Sequence, residues 1–241
     1  MTTQIKYEIR RAGILYYIRL ICGDIFNSLK DKKMNFLEMF QDYEEYHKEI
    51  NTGKKFRAEL IKGWIEKNST ILDVGVGDGV IAEYLIKELN VKIHGLDISE
   101  NACKKAKEKG ISAEVRNINY GLTLREDEFY DYILLMEVIE HTVQPEKVVM
   151  DAVKHAKKGV IVTIPNSGYI KWRIQLLRGY SPRQSYTHLH FWSINDFEIW
   201  CKLLNIRIKS FTTILPKFTS VFKNLLAWQQ CWLLYPKNID D

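Results

Sequence analysis

The chain has no apolar run of the roughly 18 uncharged residues that a bilayer-spanning helix needs, so nothing in it is expected to cross a membrane. It has no paired cysteines: Cys22, Cys103, Cys201 and Cys231 are scattered without a CxxC spacing. That argues against a disulfide framework and for reduced, buried thiols in a cytoplasmic protein. Met1 to Arg11 is polar and charged and lacks the apolar stretch of a signal peptide. Internal repeats and low-complexity linkers are absent too. What remains is 241 residues, 46% hydrophobic and 27% charged, enough for one large α/β domain with a helical arm.

The net charge of +5 is unevenly placed. Positions 166–241 hold ten Lys/Arg against four Asp/Glu, and the rest of the chain is close to neutral. Lys171, Arg173, Arg178 and Arg183 fall in a stretch without any acid. Such a zone suits an anionic partner or substrate, or is a solvated face balanced in space by distant acids.

Hydrophobic spacing divides the chain in three. Residues 1–55 read as a helical arm, with Ile14, Ile18, Ile21, Ile25 and Leu29 on one face. That face packs on its own domain or a partner subunit, or lies on a membrane surface. A second helix carries Phe56, Leu60, Ile61, Trp64 and Ile65, and opens the main domain, 56–241. Residues 69–165 then alternate strand and helix. Strands are predicted at Thr70–Val74, Val91–Leu96, Ile111–Arg116, Tyr130–Met136 and Val160–Ile164. Helices are predicted at Val80–Leu89, after the capping residue Ser99 up to Gly110, and at Pro145–Lys157. This alternation predicts a Rossmann-like, doubly wound parallel sheet. An aromatic, basic insertion spans 166–193. A helix starting at Ser193 with Asp196 three residues on, and two late strands near Ile206–Leu215 and Trp228–Tyr235, complete the domain.

The most informative segment is Ile71-Leu72-Asp73-Val74-Gly75-Val76-Gly77-Asp78-Gly79, an apolar strand entering a helix through three alternating glycines. Glycine takes positive φ and leaves no Cβ between backbone and ligand, and amides at a helix N-terminus favour bound ligands. Asp73 beside the turn would repel a pyrophosphate but tolerates an amino-acid ammonium, which disfavours NAD. Asp97 ends the next strand, where a carboxylate accepts from both ribose hydroxyls. Asn117 ends the third strand, where an amide is within reach of an adenine edge. The competing reading is a plain tight turn.

These segments resemble the class I S-adenosylmethionine-dependent methyltransferases from about Phe56 onward. The resemblance implies a seven-stranded sheet with the last strand antiparallel, and S-adenosyl-L-methionine as cofactor. It implies Gly75, Gly77 and Gly79 at the methionine moiety with Asp73 and Met136 nearby, Asp97 and Ile98 at the ribose, and Asn117 and Ile118 at adenine. Within the class, about Ser69 to Ile208 resembles the MetW family, through Ile71–Gly79, Asn117 to Leu122, Pro165 to Gly168, Arg173 to Leu176 and His190 to Phe197. That family is tied to methionine biosynthesis, where it assists homoserine acylation. This chain departs from it in having Asn117 and Asn119 for acids and Tyr169-Ile170 for His-Trp. The segment Met136-Glu137-Val138-Ile139-Glu140-His141 instead looks like the ubiquinone-pathway O-methyltransferases, whose matching Glu, Glu and His are implicated in metal binding.

Glu137, Glu140 and His141 follow a strand's carboxyl end, where ligands sit in open α/β sheets. They could hold a hard divalent ion, His141 could act as a base, or the residues could simply shape the turn. His190, with His188, Tyr186 and Trp192, lies in the insertion and could cover a substrate, as could Tyr169. Arg173 and Arg178 could take a phosphate or carboxylate, or lay their stems over apolar surface. The expected function is methyl transfer to an O or N atom of a small-molecule, glycan or lipid-linked acceptor. The alternatives are an accessory partner of an acyltransferase, with a homodimer also open, and nucleic-acid methylation. The last is disfavoured because neither an Asn-Pro-Pro-Tyr-type motif nor a Pro-Cys pair is present.

Overall fold

The computed structural model describes residues 54–182, 185, 187–214 and 222–236. The helical arm expected over 1–55, all but its last two positions, lies outside them, as do Cys22, Arg183 and Tyr186. Helix α1 covers 54–61. Strands and helices then follow in the order β1 (Thr70–Val74), α2 (Val80–Leu89), β2 (Lys92–Asp97), α3 (Glu100–Glu108), β3 (Ser112–Val115) and β4 (Tyr130–Met136). A 3-10 turn, Ile139–His141, leads to α4 (Pro145–His155), β5 (Ala156–Pro165), α5 (Ile170–Leu177) and α6 (Ile194–Leu203). The chain closes with β6 (Ile206–Ile214), α7 (Lys223–Leu226) and β7 (Gln229–Pro236).

The seven strands form one sheet in the order β3-β2-β1-β4-β5-β7-β6. β3, β2, β1, β4 and β5 are mutually parallel, and β7 enters antiparallel between β5 and β6. The expected doubly wound, seven-stranded sheet with its last strand antiparallel is therefore present. Helices cover both faces, so the central strands read as continuous apolar runs. Alternate residues serve opposite layers. Leu72, Val74, Ile133 and Leu135 face α4 and α6, while Ile71, Leu134 and Ile161 face α1, α2 and α3. The late aromatics belong to the first layer. Trp192, Phe197, Trp200, Phe211 and Trp232 pack together, with Phe211 and Trp232 at 4.1 Å between ring centroids. Trp232 of the tail thus fills core, as its strand pattern suggested, whereas Trp228 is half exposed. Cys103, Cys201 and Cys231 are free and buried, and burial pushes the Cys201 and Cys231 thiols up to about 12.

Local signals set the helix ends. The Ser99 hydroxyl accepts from the Ala102 amide at the start of α3, and Gly110, at φ 78°, ends the turn after it. Ser193 and Asp196 form a reciprocal capping box on α6. Three expectations need correction. The fifth strand begins at Ala156 rather than Val160, because His155 Nδ1 donates to the Glu128 carbonyl at 2.7 Å and draws the chain directly into the ladder. Gly159 lies inside that strand, where a Cβ would stand 2.8 Å from Leu233 Cδ1. The stretch 166–193 contains a helix, α5, which buries no residue and leaves Leu177 89% exposed. The inner face of α1 is Ala58 and Ile61, continued by Ile65, while Phe56 is half exposed.

The insertion is fastened by buried amides. Asn166, fully buried, donates to the Asn224 and Ala227 carbonyls and accepts from the Gly168 amide. Gln230 donates to the Pro165 and Trp192 carbonyls and accepts from the Trp232 indole. An unpaired buried polar group costs about 1–3 kcal/mol, and removing Asn166 leaves three. Asn166→Ala should therefore destabilise the fold more than Ser193→Ala, whose lost cap costs about 1 kcal/mol. Urea unfolding of the two variants checks the ranking, and equal midpoints would contradict it.

Candidate functional site

Chain order reverses between β1 and β4, so a crevice opens at their carboxyl ends. The turn after β1 lines it. Gly75, Gly77 and Gly79 all have positive φ, but for different reasons. A Cβ on Gly75 would lie 2.5 Å from Val138 Cγ2, and one on Gly79 2.6 Å from Ile111 Cδ1. These two glycines make room for protein. A Cβ on Gly77 would meet nothing nearer than 4.0 Å, so this is the position that leaves room for a ligand. Most of the turn's amides are also used internally. Gly75 and Val76 donate to the Leu96 carbonyl, Gly79 to the Val76 carbonyl and Gly77 to Asp97 Oδ2. The expected row of free amides facing a ligand is thus largely absent, and open space over Gly77 takes its place.

Charged groups frame that space. Asp73 is buried, and loss of solvent together with the nearby Asp97 charge raises its carboxyl to about 7, against the pull of Lys54. Lys54, on α1, pairs with Asp78 at 2.8 Å, and its ammonium lies 4.0 Å from the Cβ position of Gly77. A buried carboxyl and a lysine at one turn complement the two ends of a zwitterionic amino acid. Asp97 bridges the Gly77 amide, at 2.9 Å, and the Ser99 amide, at 2.8 Å. Each of its oxygens keeps a further lone pair for a diol. Ile98 beside it is 62% exposed, an apolar surface at the crevice. β3 ends at Val115, so Asn117 lies two residues beyond the strand. Its side-chain oxygen accepts from the Asn119 amide, which leaves its NH2 as the group that can meet a base edge. Ile118 packs on the core, and Met136 is buried at the tip of β4.

β4 leads into an acidic and imidazole corner. Glu137 turns the chain at φ 59°, an uncommon conformation for a side-chain-bearing residue. Its carboxylate accepts from the Thr163 hydroxyl at 3.3 Å and from Gln229, with the Arg57 charge nearby. Burial still raises its pKa. Glu140 is 1% exposed, and neither of its side-chain oxygens has a hydrogen-bond partner. Burial, then the Glu137 charge, raises it well above the usual carboxylate range. His141 Nδ1 donates to the Thr187 carbonyl at 3.2 Å, and its ring meets His188 edge-on at 4.6 Å between centroids. Burial lowers the pKa of His141 and, with His141 beside it, takes His188 down to about 4. The trio implied for a metal by the ubiquinone-type resemblance does not assemble, because Glu137 is directed to Thr163 and Gln229. Glu140, His141 and His188 come together instead, their ligand atoms all within 4.8 Å of one another.

The insertion closes over this corner. The Leu189 and His190 amides both donate to the Glu140 carbonyl. His190 Nε2 donates to the Thr142 carbonyl at 2.9 Å and its ring stacks on Trp192. His190 therefore lines the recess beside Glu140 with that nitrogen already engaged. Arg173 Nε donates to the Gly168 carbonyl, and its guanidinium holds the loop while remaining exposed. Tyr169 caps α5 and meets Trp172 edge-on. Lys54, Arg57 and the amides Asn166 and Gln230 were not singled out from sequence. Asn166 entered only as part of the Pro165–Gly168 resemblance, the others lie in no motif, and their roles depend on contacts between residues more than 20 positions apart.

Residues 55–233 match the family described as "Methionine biosynthesis protein MetW". The chain is 28% identical over 167 residues to a ubiquinone biosynthesis O-methyltransferase of Hydrogenovibrio crunogenus, covering 64% of this chain and 68% of that one. It is 26% identical over 166 residues to phosphoethanolamine N-methyltransferase 2 of Caenorhabditis elegans, covering 66% of this chain and only 37% of that protein. Magnesium protoporphyrin IX methyltransferase (ChlM) of Synechocystis PCC 6803, solved with bound SAH, superposes with a TM-score of 0.56 at 13% identity, over 94% of this chain and 100% of that one. The sheet order and these likenesses give the fold as that of the class I S-adenosylmethionine-dependent methyltransferases, and within it this chain belongs to the MetW family.

Proposed function

We propose that the protein binds S-adenosylmethionine in the crevice between β1 and β4 and transfers its methyl group to an oxygen or nitrogen atom. The observation that carries this reading is the open position over Gly77, framed by Asp73, Lys54 and Asp97. In it, Asp73 faces the cofactor's ammonium and Asp97 its ribose, with Gly75, Gly77 and Gly79 shaping the methionine end. Ile98, Asn117, Ile118 and Met136 border the adenosine. The sulfonium already activates the methyl group, so the protein has only to align an acceptor and exclude water, an orientation worth roughly 7–11 kcal/mol. The acceptor is a small molecule, glycan or lipid-linked group that meets His190, Arg173 and Tyr169. Arg173 and the neighbouring Lys171 and Arg178 suit an anionic one. Glu137 and Glu140 shape the catalytic corner, and His141, neutral because burial lowers its pKa, is the first candidate for the acceptor's proton.

The family match supports a second reading, an accessory role beside an acyltransferase in methionine biosynthesis. Incubating the protein with methyl-labelled cofactor and cell extract separates the two. Label in a lipid, glycan or metabolite fraction supports transfer. No label, with a stoichiometric acyltransferase in a pull-down, supports the accessory role.

Three outcomes are expected. Gly77→Ala should weaken cofactor binding by about tenfold or more with a stability loss of only about 1–2 kcal/mol, whereas Gly79→Ala, whose Cβ also meets Ile111 and Ala106, should mainly lower the melting temperature. Calorimetric titration and melting curves on both variants read this, and an unchanged affinity in Gly77→Ala would move the cofactor elsewhere.

The second outcome concerns pH. With the Asp73 carboxyl raised to about 7, an ammonium bound beside it favours the ionised form, so binding below that pH expels a proton. Affinity for S-adenosylmethionine should fall as pH drops below about 7, approaching roughly tenfold per unit, and Asp73→Asn should flatten the dependence. The empty fold responds in the opposite sense: the unfolded carboxyl ionises near pH 4, so this group's contribution to stability declines as pH rises from about 4 to about 7. Titrations in buffers of different ionisation enthalpy detect the expelled proton, and a pH-independent affinity removes Asp73 from the ligand site.

The third outcome is that His141→Ala lowers turnover by about 100-fold or more while cofactor affinity stays within a factor of two or so. Unchanged turnover would take His141 out of the reaction.

A further inference from the structure

We infer that Glu140, His141 and His188 form a site for a divalent transition-metal ion, Zn²⁺ first among the candidates, in place of the acidic set that the sequence resemblance implied. Glu137 stands outside the cluster, its carboxylate held by Thr163 and Gln229. The third donor comes instead from the insertion, 47 positions after His141 in the chain.

Three independent features of the corner point to a cation. The first is Glu140, which is 1% exposed and has no hydrogen-bond partner on either side-chain oxygen. A buried carboxyl group left this way costs free energy unless something binds it. The second is the tautomer of His141. A carbonyl can only accept, so the contact with Thr187 puts the proton on Nδ1 and leaves Nε2 with a free lone pair. Metal-binding histidines are commonly oriented by such a bond from their other nitrogen. The third is distance. The three ligand atoms already lie within 4.8 Å of one another. Two ligands of a tetrahedral zinc, each at about 2.1 Å, are about 3.4 Å apart, so shifts of about an ångström in each side chain complete the site.

The donor types select the ion. Two imidazoles and one carboxylate suit zinc and its transition-metal neighbours, whereas magnesium prefers oxygen alone. Three protein ligands leave a fourth tetrahedral position, as in zinc sites that act on substrates, and the recess beside Glu140 and His188, walled by Trp172 and Phe191, gives access to it. The main chain is prepared for the arrangement, because the Glu140 carbonyl already holds the Leu189 and His190 amides. A cation here acidifies a bound hydroxyl, and with His141 Nε2 on the ion that effect takes the place of proton uptake by His141. That use of the site rests on the methyl-transfer reading, but the binding of the ion does not.

The test measures metal with neither cofactor nor acceptor present, so its failure is distinct from failure of the methyl-transfer reading. The full chain, without a polyhistidine tag, is stripped with EDTA and dialysed against ZnCl₂. About one zinc per chain is expected, with Glu140→Gln, His141→Ala and His188→Ala each weakening binding by at least about 100-fold, more than a lost outer-shell contact does. Glu137→Gln and the distant His94→Ala should retain the ion. Circular dichroism shows which variants fold. X-ray absorption at the zinc edge of the unaltered chain gives a second reading, with two imidazoles and no sulfur expected. Absence of retained zinc, unchanged zinc in His188→Ala, equal loss in Glu137→Gln, or thiolate in the absorption spectrum would each overturn the assignment.

Discussion

The Asp97 carboxylate joins the two halves of the crevice. It stands at the last position of β2 and takes the Gly77 amide with one oxygen and the Ser99 amide with the other. Bonds of this charge-assisted kind contribute about 1.5–3 kcal/mol each. One side chain thereby fixes how far the glycine turn stands from the start of α3. The Gly75, Val76 and Gly79 amides are satisfied by Leu96 and Val76, so most of the turn's shape does not wait for a ligand. A cofactor meeting such a site pays little ordering entropy on the protein side, which is the advantage of preorganisation.

The opposite wall is built differently. β4 delivers Glu137, Glu140 and His141 on a strained turn, and the insertion is then laid over them. Its attachment relies on carboxamides in the core. Asn166 ties the end of β5 to the residues around α7, and Gln230 of β7 ties the same strand end to Trp192. Placing β7 antiparallel between β5 and β6 brings Gln230 within reach of both loop carbonyls. The topology of the sheet's far half thus decides where His188 and His190 stand, although the residues are distant in sequence.

Much of the first half was legible. The boundaries of β1, α2 and β4 follow from apolar runs bounded by glycine or charge, and Ser99, Gly110 and the Ser193–Asp196 pair mark ends by local chemistry. Local signals are also what failed at β5. Gly159 reads as a helix terminator, but it lies within a strand because β7 packs against it and His155 is held by Glu128. The second half of the site was legible only as a set of residue types. Glu137 and Glu140 are three apart and follow one strand, so sequence groups them. The positive φ at Glu137 sends its carboxylate toward β5 and β7 instead, and His188 arrives from across the insertion. Sequence spacing carries no information about either event.

The β4 tip also breaks several local rules at once. A glutamate occupies left-handed backbone, a second glutamate is buried without a partner, and two imidazoles share the space with it. Strain of the first kind costs roughly 1–3 kcal/mol, and an orphaned buried carboxyl group adds a desolvation cost of similar size. Thr163 and Gln229 offset part of the first cost by holding the Glu137 carboxylate, whereas the Glu140 carboxyl has no such partner. Residues that weaken the fold where strand ends converge on a crevice are retained for what they bind rather than for what they stabilise. Binding that neutralises Glu140 would recover part of that cost, so the folded state itself should favour an occupied corner.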